Sequence, residues 1–186
     1  RKAVELAKKY DQLYAIVGIH PHHADKTDEK YEGLPPVNWL EQLEEIAKEP
    51  RVIGIGEVGM DFWNYRTNGV VPRELQEDAF RKQIELSIKI GLPLQIQTRL
   101  AWDETISILS DYSNKLREHP GMFHCFSGSI EFTRKVLDSG FLVGFDGAEF
   151  HAMGTVSAKI DELIPGNSNW KGVLMLPIFL FAALLA

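Results

Sequence analysis

A lone cysteine, Cys125, is all the thiol this chain has, which excludes an internal disulfide and fits a reducing compartment. Positive charge is also in short supply: 20 Lys and Arg stand against 26 Asp and Glu, for a formal net charge of -6. That balance argues against a sequence-independent grip on nucleic acid through basic side chains. It leaves room for a nuclease, because a metal ion supplies positive charge locally. No apolar signal stretch opens the sequence, which begins RKAVELAKKY in helical style. The apolar run VLMLPIFLFAALLA, residues 173 to 186, is shorter than the roughly 20 residues a membrane span needs, and Pro177 interrupts it. No membrane partner is therefore expected, and the cytoplasm is the expected location. With 45% hydrophobic and 25% charged residues, the composition is that of an ordinary globular protein.

Within those limits, strand-like and helix-like segments alternate. LYAIVGI (13–19), RVIGIGEV (51–58), LPLQIQ (92–97), GMFHCF (121–126), FLVGF (141–145) and KGVLML (171–176) read as short apolar strands. Between them, VNWLEQLEEIAKE (37–49) sets Leu40, Leu43 and Ala47 on one helical face. Pro72 opens a long helix with Leu75, Ala79, Phe80, Ile84 and Ile88 as its apolar stripe, closed at Gly91. Residues 103–119 read as a helix with Asp103 as N-cap, SIEFTRKVLDSG as one closing at Gly140, and AKIDELIP (158–165) as another. Strands apolar on both faces with helices between them predict an α/β fold with a parallel sheet. No linker splits the chain, so residues 1–186 are expected to form one domain.

Polar residues recur where these strands end: His20 and His22, Glu57, Gln97 and Arg99, and His124. Several strands contributing polar residues at one end is how a (β/α) barrel assembles a site, which favours a barrel over an open doubly wound sheet. The segment HPHHAD groups three histidines at a strand end, suited to a transition metal when neutral and to phosphate when protonated. Glu57, among glycines, has the chemistry to bridge divalent ions, to accept a proton, or to pair with an arginine. Asp61 is expected in the loop that follows. His124 lies between aromatic residues, with Cys125 expected to alternate to the other face and pack as a small apolar group. Ser127 and Gly128 are expected to open the next helix.

The segments VGIHPHHAD, VIGIGEVGMDFW, ELQEDAFRKQIELSIKIGLPL, QTRLAW and FHCFSGSIEFTRKVLDSGFLVGFDG resemble, in that order, the TatD family of metal-dependent deoxyribonucleases, from about residue 3 to about residue 165. The resemblance implies a TIM-like (β/α) barrel that hydrolyses phosphodiester bonds in DNA or a related phosphoester, with divalent ions (Mg, Mn or Zn) at its mouth. Carried over residue by residue, it implies that Glu57 is the catalytic, metal-bridging glutamate and His124 a metal-binding histidine. It implies that His22 lines the substrate site and that Arg99 faces the phosphate.

The chain departs from the family pattern at three places. The first strand, with its His-x-His pair, is not in this sequence. Gln97 stands where the family carries a histidine. Ile178 stands where the last strand carries an aspartate. The expectation is therefore an incomplete barrel, truncated at its N-terminus and with an atypical apolar C-terminus, whose open edges a second chain would cover. An impaired or inactive domain serving only as a binding or structural module is the alternative reading.

Overall fold

A computed structural model describes residues 1–28 and 38–144. The elements run α1 (Lys2–Lys9), β1 (Ala15–Val17), a 3₁₀ segment (Pro21–Thr27), α2 (Trp39–Ala47), β2 (Val52–Asp61), α3 (Arg73–Ile90), β3 (Leu94–Arg99), α4 (Trp102–Ser110), β4 (Gly121–Phe123), α5 (Ile130–Asp138) and β5 (Leu142–Val143). All five strands pair in parallel, in the spatial order β1-β2-β3-β4-β5. Spatial order equal to chain order means each strand is laid down beside the last, always advancing the same way. A doubly wound sheet reverses direction once; a barrel does not. Within the described residues the sheet stops at β1 and β5 without closing on itself.

The elements follow from local chemistry. Asn38 caps α2, its side chain accepting the Glu41 N–H, and Ser129 caps α5 by accepting the Phe132 N–H. Gly91, at φ 73, ends α3 in a left-handed turn that a side chain would oppose. Helices cover one face of the sheet, where Ile55, Met60, Phe80, Ile84, Ile96 and Phe123 are almost fully buried. The long helix α3 also buries Gln76, Gln83 and Ser87, polar positions the apolar stripe did not anticipate.

Several expectations need correcting. β2 continues three residues past Val58, so Asp61 ends the strand, only 2% exposed, instead of lying in the loop. It does so because Gln76 of α3 takes over its backbone bonding: Asp61 N–H donates to Gln76 Oε1 at 2.7 Å, and Gln76 Nε2 donates to Asp61 O at 3.0 Å. α4 starts after Ala101 with no side-chain cap, so Asp103 lies in its first turn and does not cap it. The same helix ends at Ser110, because SDYSNK is rich in residues whose side chains compete for backbone bonds. Ser129, two residues beyond Ser127, opens α5.

The six residues GIGEVG have the glycine spacing of a dinucleotide-binding turn, yet all lie inside β2. A nucleotide fold puts that motif at a strand-to-helix turn, where helix N–H groups meet the phosphate. Here the glycines serve close backbone approach: a Cβ on Gly59 would fall on the Gln97 carbonyl oxygen of β3. The helix expected over 158–165, the strand over 171–176, Ile178 and the apolar run 173–186 lie outside the described residues. Among the described residues no helix is long and apolar enough to cross a membrane.

Candidate metal centre

The face of the sheet away from the helices carries the polar residues. In β3 alternation puts Gln95, Gln97 and Arg99 on this face. β2 pairs Gly59 with Gln97 and Asp61 with Arg99, and its register shifts between Gly56 and Val58. That bulge resets the alternation, so Glu57 joins Gly59 and Asp61 on the polar side. His20 lies just beyond β1, after Gly18 and Ile19, and His124 follows β4 directly.

These ends converge on one atom. Glu57 Oε2 lies 3.5 Å from His20 Nε2 and 3.5 Å from His124 Nε2, and all three side chains are less than a fifth exposed. Burial works to raise the Glu57 carboxyl, but the hydrogen bond and charge of His124, with the charge of His20, hold it below the ordinary range. It is an anion at neutral pH. Burial lowers His20, and the attraction of Glu57 and Asp61 does not fully offset it, so that ring is neutral. The two imidazoles differ in how they are held. His20 Nδ1 accepts the His22 backbone N–H at 2.9 Å, which leaves the ring proton on Nε2, facing Glu57. His124 meets Glu57 through Nε2–H, and its Nδ1 lies 3.0 Å from Cys125 Sγ, so binding an ion through Nε2 requires that proton to leave. Cys125, at φ 47, thus turns its sulfur onto His124 instead of packing on the opposite face.

A divalent cation can be tested against this donor set. Two ligands of one tetrahedral ion, each about 2.0–2.1 Å from it, sit about 3.4 Å apart. The 3.5 Å separations between Glu57 and each histidine match that spacing. Carboxylate and imidazole are also donors that divalent ions accept. Because the backbone bond at Nδ1 fixes the His20 proton on Nε2, Glu57 and His124 are the better ligand pair. Among the described residues no three His, Cys, Asp or Glu side chains are arranged to hold an ion, so these supply part of a ligand set.

Gln97 does not reach Glu57. Its Nε2 donates to Asp61 Oδ2 at 3.2 Å, and the residue is 6% exposed. The Asp61 carboxylate also accepts Tyr65 Oη–H at 2.6 Å and the Trp63 N–H at 2.9 Å. Burial, and then the bond to Asp61, push the Tyr65 phenol well above its usual range. Arg99 lies over the Trp63 and Tyr65 rings, 5.5 and 5.9 Å from their centroids. His22 does not touch Glu57 with its ring. That ring packs tilted against Tyr65, 3.9 Å between centroids, with Nε2 3.3 Å from Thr67 Oγ1. The residues named at strand ends therefore form two neighbouring groups: Glu57, His20 and His124, and a second around Asp61.

Sequence reasoning grouped His20 with the strand-end polar residues and with the histidines of HPHHAD, but assigned it no individual role. It also missed Tyr65 and Trp63, which the sequence marks only by their proximity to Asp61, and Gln76, which it does not mark at all.

Over residues 1–166 the chain matches the family described as TatD related DNase. An uncharacterized metal-dependent hydrolase, YabD of Bacillus subtilis, is 32% identical over 148 residues, covering 78% of this chain and 52% of that protein. The 3'-5' ssDNA/RNA exonuclease TatD of Klebsiella pneumoniae is 32% identical over 148 residues, covering 79% and 51%. Among solved structures, a hydrolase TatD family protein from Entamoeba histolytica superposes with a TM-score of 0.60 at 25% identity, covering 77% of this chain and 46% of that one. The chain spans about half the length of the curated relatives it matches.

Proposed function

The chain belongs to the TatD-related DNase family, and from that premise we propose that its Glu57 centre serves metal-dependent hydrolysis of phosphodiester bonds in nucleic acid. The observation that carries this reading is the meeting of two imidazoles on one ionised carboxylate oxygen at the carboxyl end of a parallel sheet. The Klebsiella relative, named as an exonuclease on single-stranded DNA and RNA, supports nucleic acid as the substrate class.

Glu57 and His124 would hold the ion. When bound, a divalent cation polarises a phosphoryl oxygen and lowers the pKa of water toward neutrality. The protein's own residues supply the rest. Glu57 contributes a negative charge that is fixed at neutral pH. His20, with its proton on Nε2, donates toward Glu57 and orients that carboxylate. Arg99 is exposed at the end of β3 and offers a guanidinium to an approaching phosphate. Asp61 stays out of the reaction and fixes the loop after β2 through Trp63 and Tyr65. The same reading places the protein in the cytoplasm, as the lone Cys125 supports.

The test is hydrolysis of a single-stranded oligonucleotide and of bis(p-nitrophenyl) phosphate with added Mg, Mn or Zn, and with chelator. Cleavage should require the metal. It should fall by about 100-fold or more in Glu57→Gln, beyond what loss of a residue behind a ligand costs. Cleavage that persists in chelator, or that survives Glu57→Gln, would sink the assignment.

A further inference from the structure

Trp63 is 49% exposed and takes no part in the hydrophobic core. An indole left half in water calls for a reason. Its backbone N–H is tied to Asp61 Oδ1, so the main chain at Trp63 is anchored to the carboxylate that also fixes Tyr65 and Gln97. Arg99 lies over it at 5.5 Å, a cation–π pair at an exposed strand end. Among the described residues no ion pair engages Arg99, so its charge is available. Asp61 lies on the same face of β2 as Glu57 and pairs in register with Arg99 of β3, which puts this aromatic wall beside the Glu57 centre.

We propose that Trp63, backed by Arg99, is a stacking platform for one unpaired nucleobase next to the phosphate handled at Glu57. The inference rests on the function proposed above and specifies how the site takes its substrate. An exposed indole face accepts any base, because every base offers a flat π surface. A base inside a duplex has both faces covered by its neighbours, so the platform favours single strands. Arg99 meets the backbone charge of the same nucleotide. A simple phosphoester offers nothing for Trp63 to hold.

The test compares binding of two single strands with phosphorothioate linkages, one of thymidines and one of abasic tetrahydrofuran residues, by fluorescence anisotropy with Mg present. Wild-type protein should prefer the strand with bases. In Trp63→Ala that preference should fall by about 5- to 150-fold, the equivalent of one base–aromatic stack, and Trp63→Phe should keep most of it. A structural role for Trp63 would weaken both strands equally, and that outcome overturns the platform. So does a Trp63→Ala protein with the wild-type preference. Wild-type protein that cuts an unmodified strand yet binds both probes alike overturns the platform alone. Wild-type protein that cuts neither an unmodified strand nor a base-free diester overturns the proposed function itself.

Discussion

Gln76 is where the fold and the site are most tightly joined, and Gln76→Met tests that joint. The residue is 1% exposed and makes three hydrogen bonds to buried backbone: with Asp61 N–H at 2.7 Å, Asp61 O at 3.0 Å and Val71 O at 2.8 Å. Methionine has a similar reach but neither donor nor acceptor of comparable strength, so the change isolates hydrogen bonding from volume. Leaving three buried groups unpaired costs about 3–6 kcal/mol, taking about 1–2 for each. The methionine offsets about 1–2 kcal/mol, since an apolar chain gains from the burial that an amide resists. The net loss is about 2–4 kcal/mol, a large share of the roughly 5–15 kcal/mol that a domain has. At an m-value of about 2 kcal/mol/M, the urea midpoint should drop by about 1–2 M with the slope unchanged. Tryptophan fluorescence and far-UV circular dichroism should report one shared transition. A midpoint that moves by less than about 0.3 M would refute the view that Gln76 holds the end of β2.

Other perturbations probe the neighbouring contacts. In Asp61→Asn, the Tyr65 phenol should titrate at lower pH than in the wild type, because the carboxylate that accepts its proton is gone; burial still keeps it above an exposed tyrosine, and an unchanged ultraviolet titration would contradict the contact. Gly59→Ala places a Cβ on the Gln97 carbonyl oxygen at φ 141, and should cost about 2–4 kcal/mol in urea unfolding; a wild-type midpoint would contradict the close approach of β2 to β3. Burial, with Lys26 and the other histidines nearby, lowers His23 to about 4. The unfolded chain binds that proton near pH 6.5 while the folded one does not, so stability is lost as pH falls from about 6.5 toward 4. His23→Gln should make that acid limb shallower, and an identical limb would rule His23 out as a contributor.

The alternation of strands and helices was legible because it depends only on hydrophobic period, and five of the expected strands appear, in shortened or shifted form, in the sheet. Their ends were less so. β2 runs on to Asp61 because a glutamine fifteen residues away in sequence takes over its backbone bonding, and nothing local to GMDFW announces that. The helix expected to reach residue 119 stops at Ser110, since apolar spacing alone does not register how Ser, Asp and Asn unwind a chain. At the site, Glu57 and His124 were named and the structure brings them to 3.5 Å. The 3₁₀ turn at Pro21 sends the ring of His20 to Glu57 and that of His22 to Tyr65. Gln97, standing where the family carries a histidine, donates its amide N–H to Asp61. Trp63 lies just past the end of β2 and Arg99 ends β3, and only tertiary contact brings them together.

Equilibrium dialysis against Mn or Zn, followed by elemental mass spectrometry, reads whether Glu57 and His124 hold a divalent ion. Wild-type protein should retain the ion, and Glu57→Gln and His124→Gln should each weaken retention by about 10- to 100-fold or more. Equal metal content in the wild type and in Glu57→Gln, or a wild-type protein that retains none, would contradict the account.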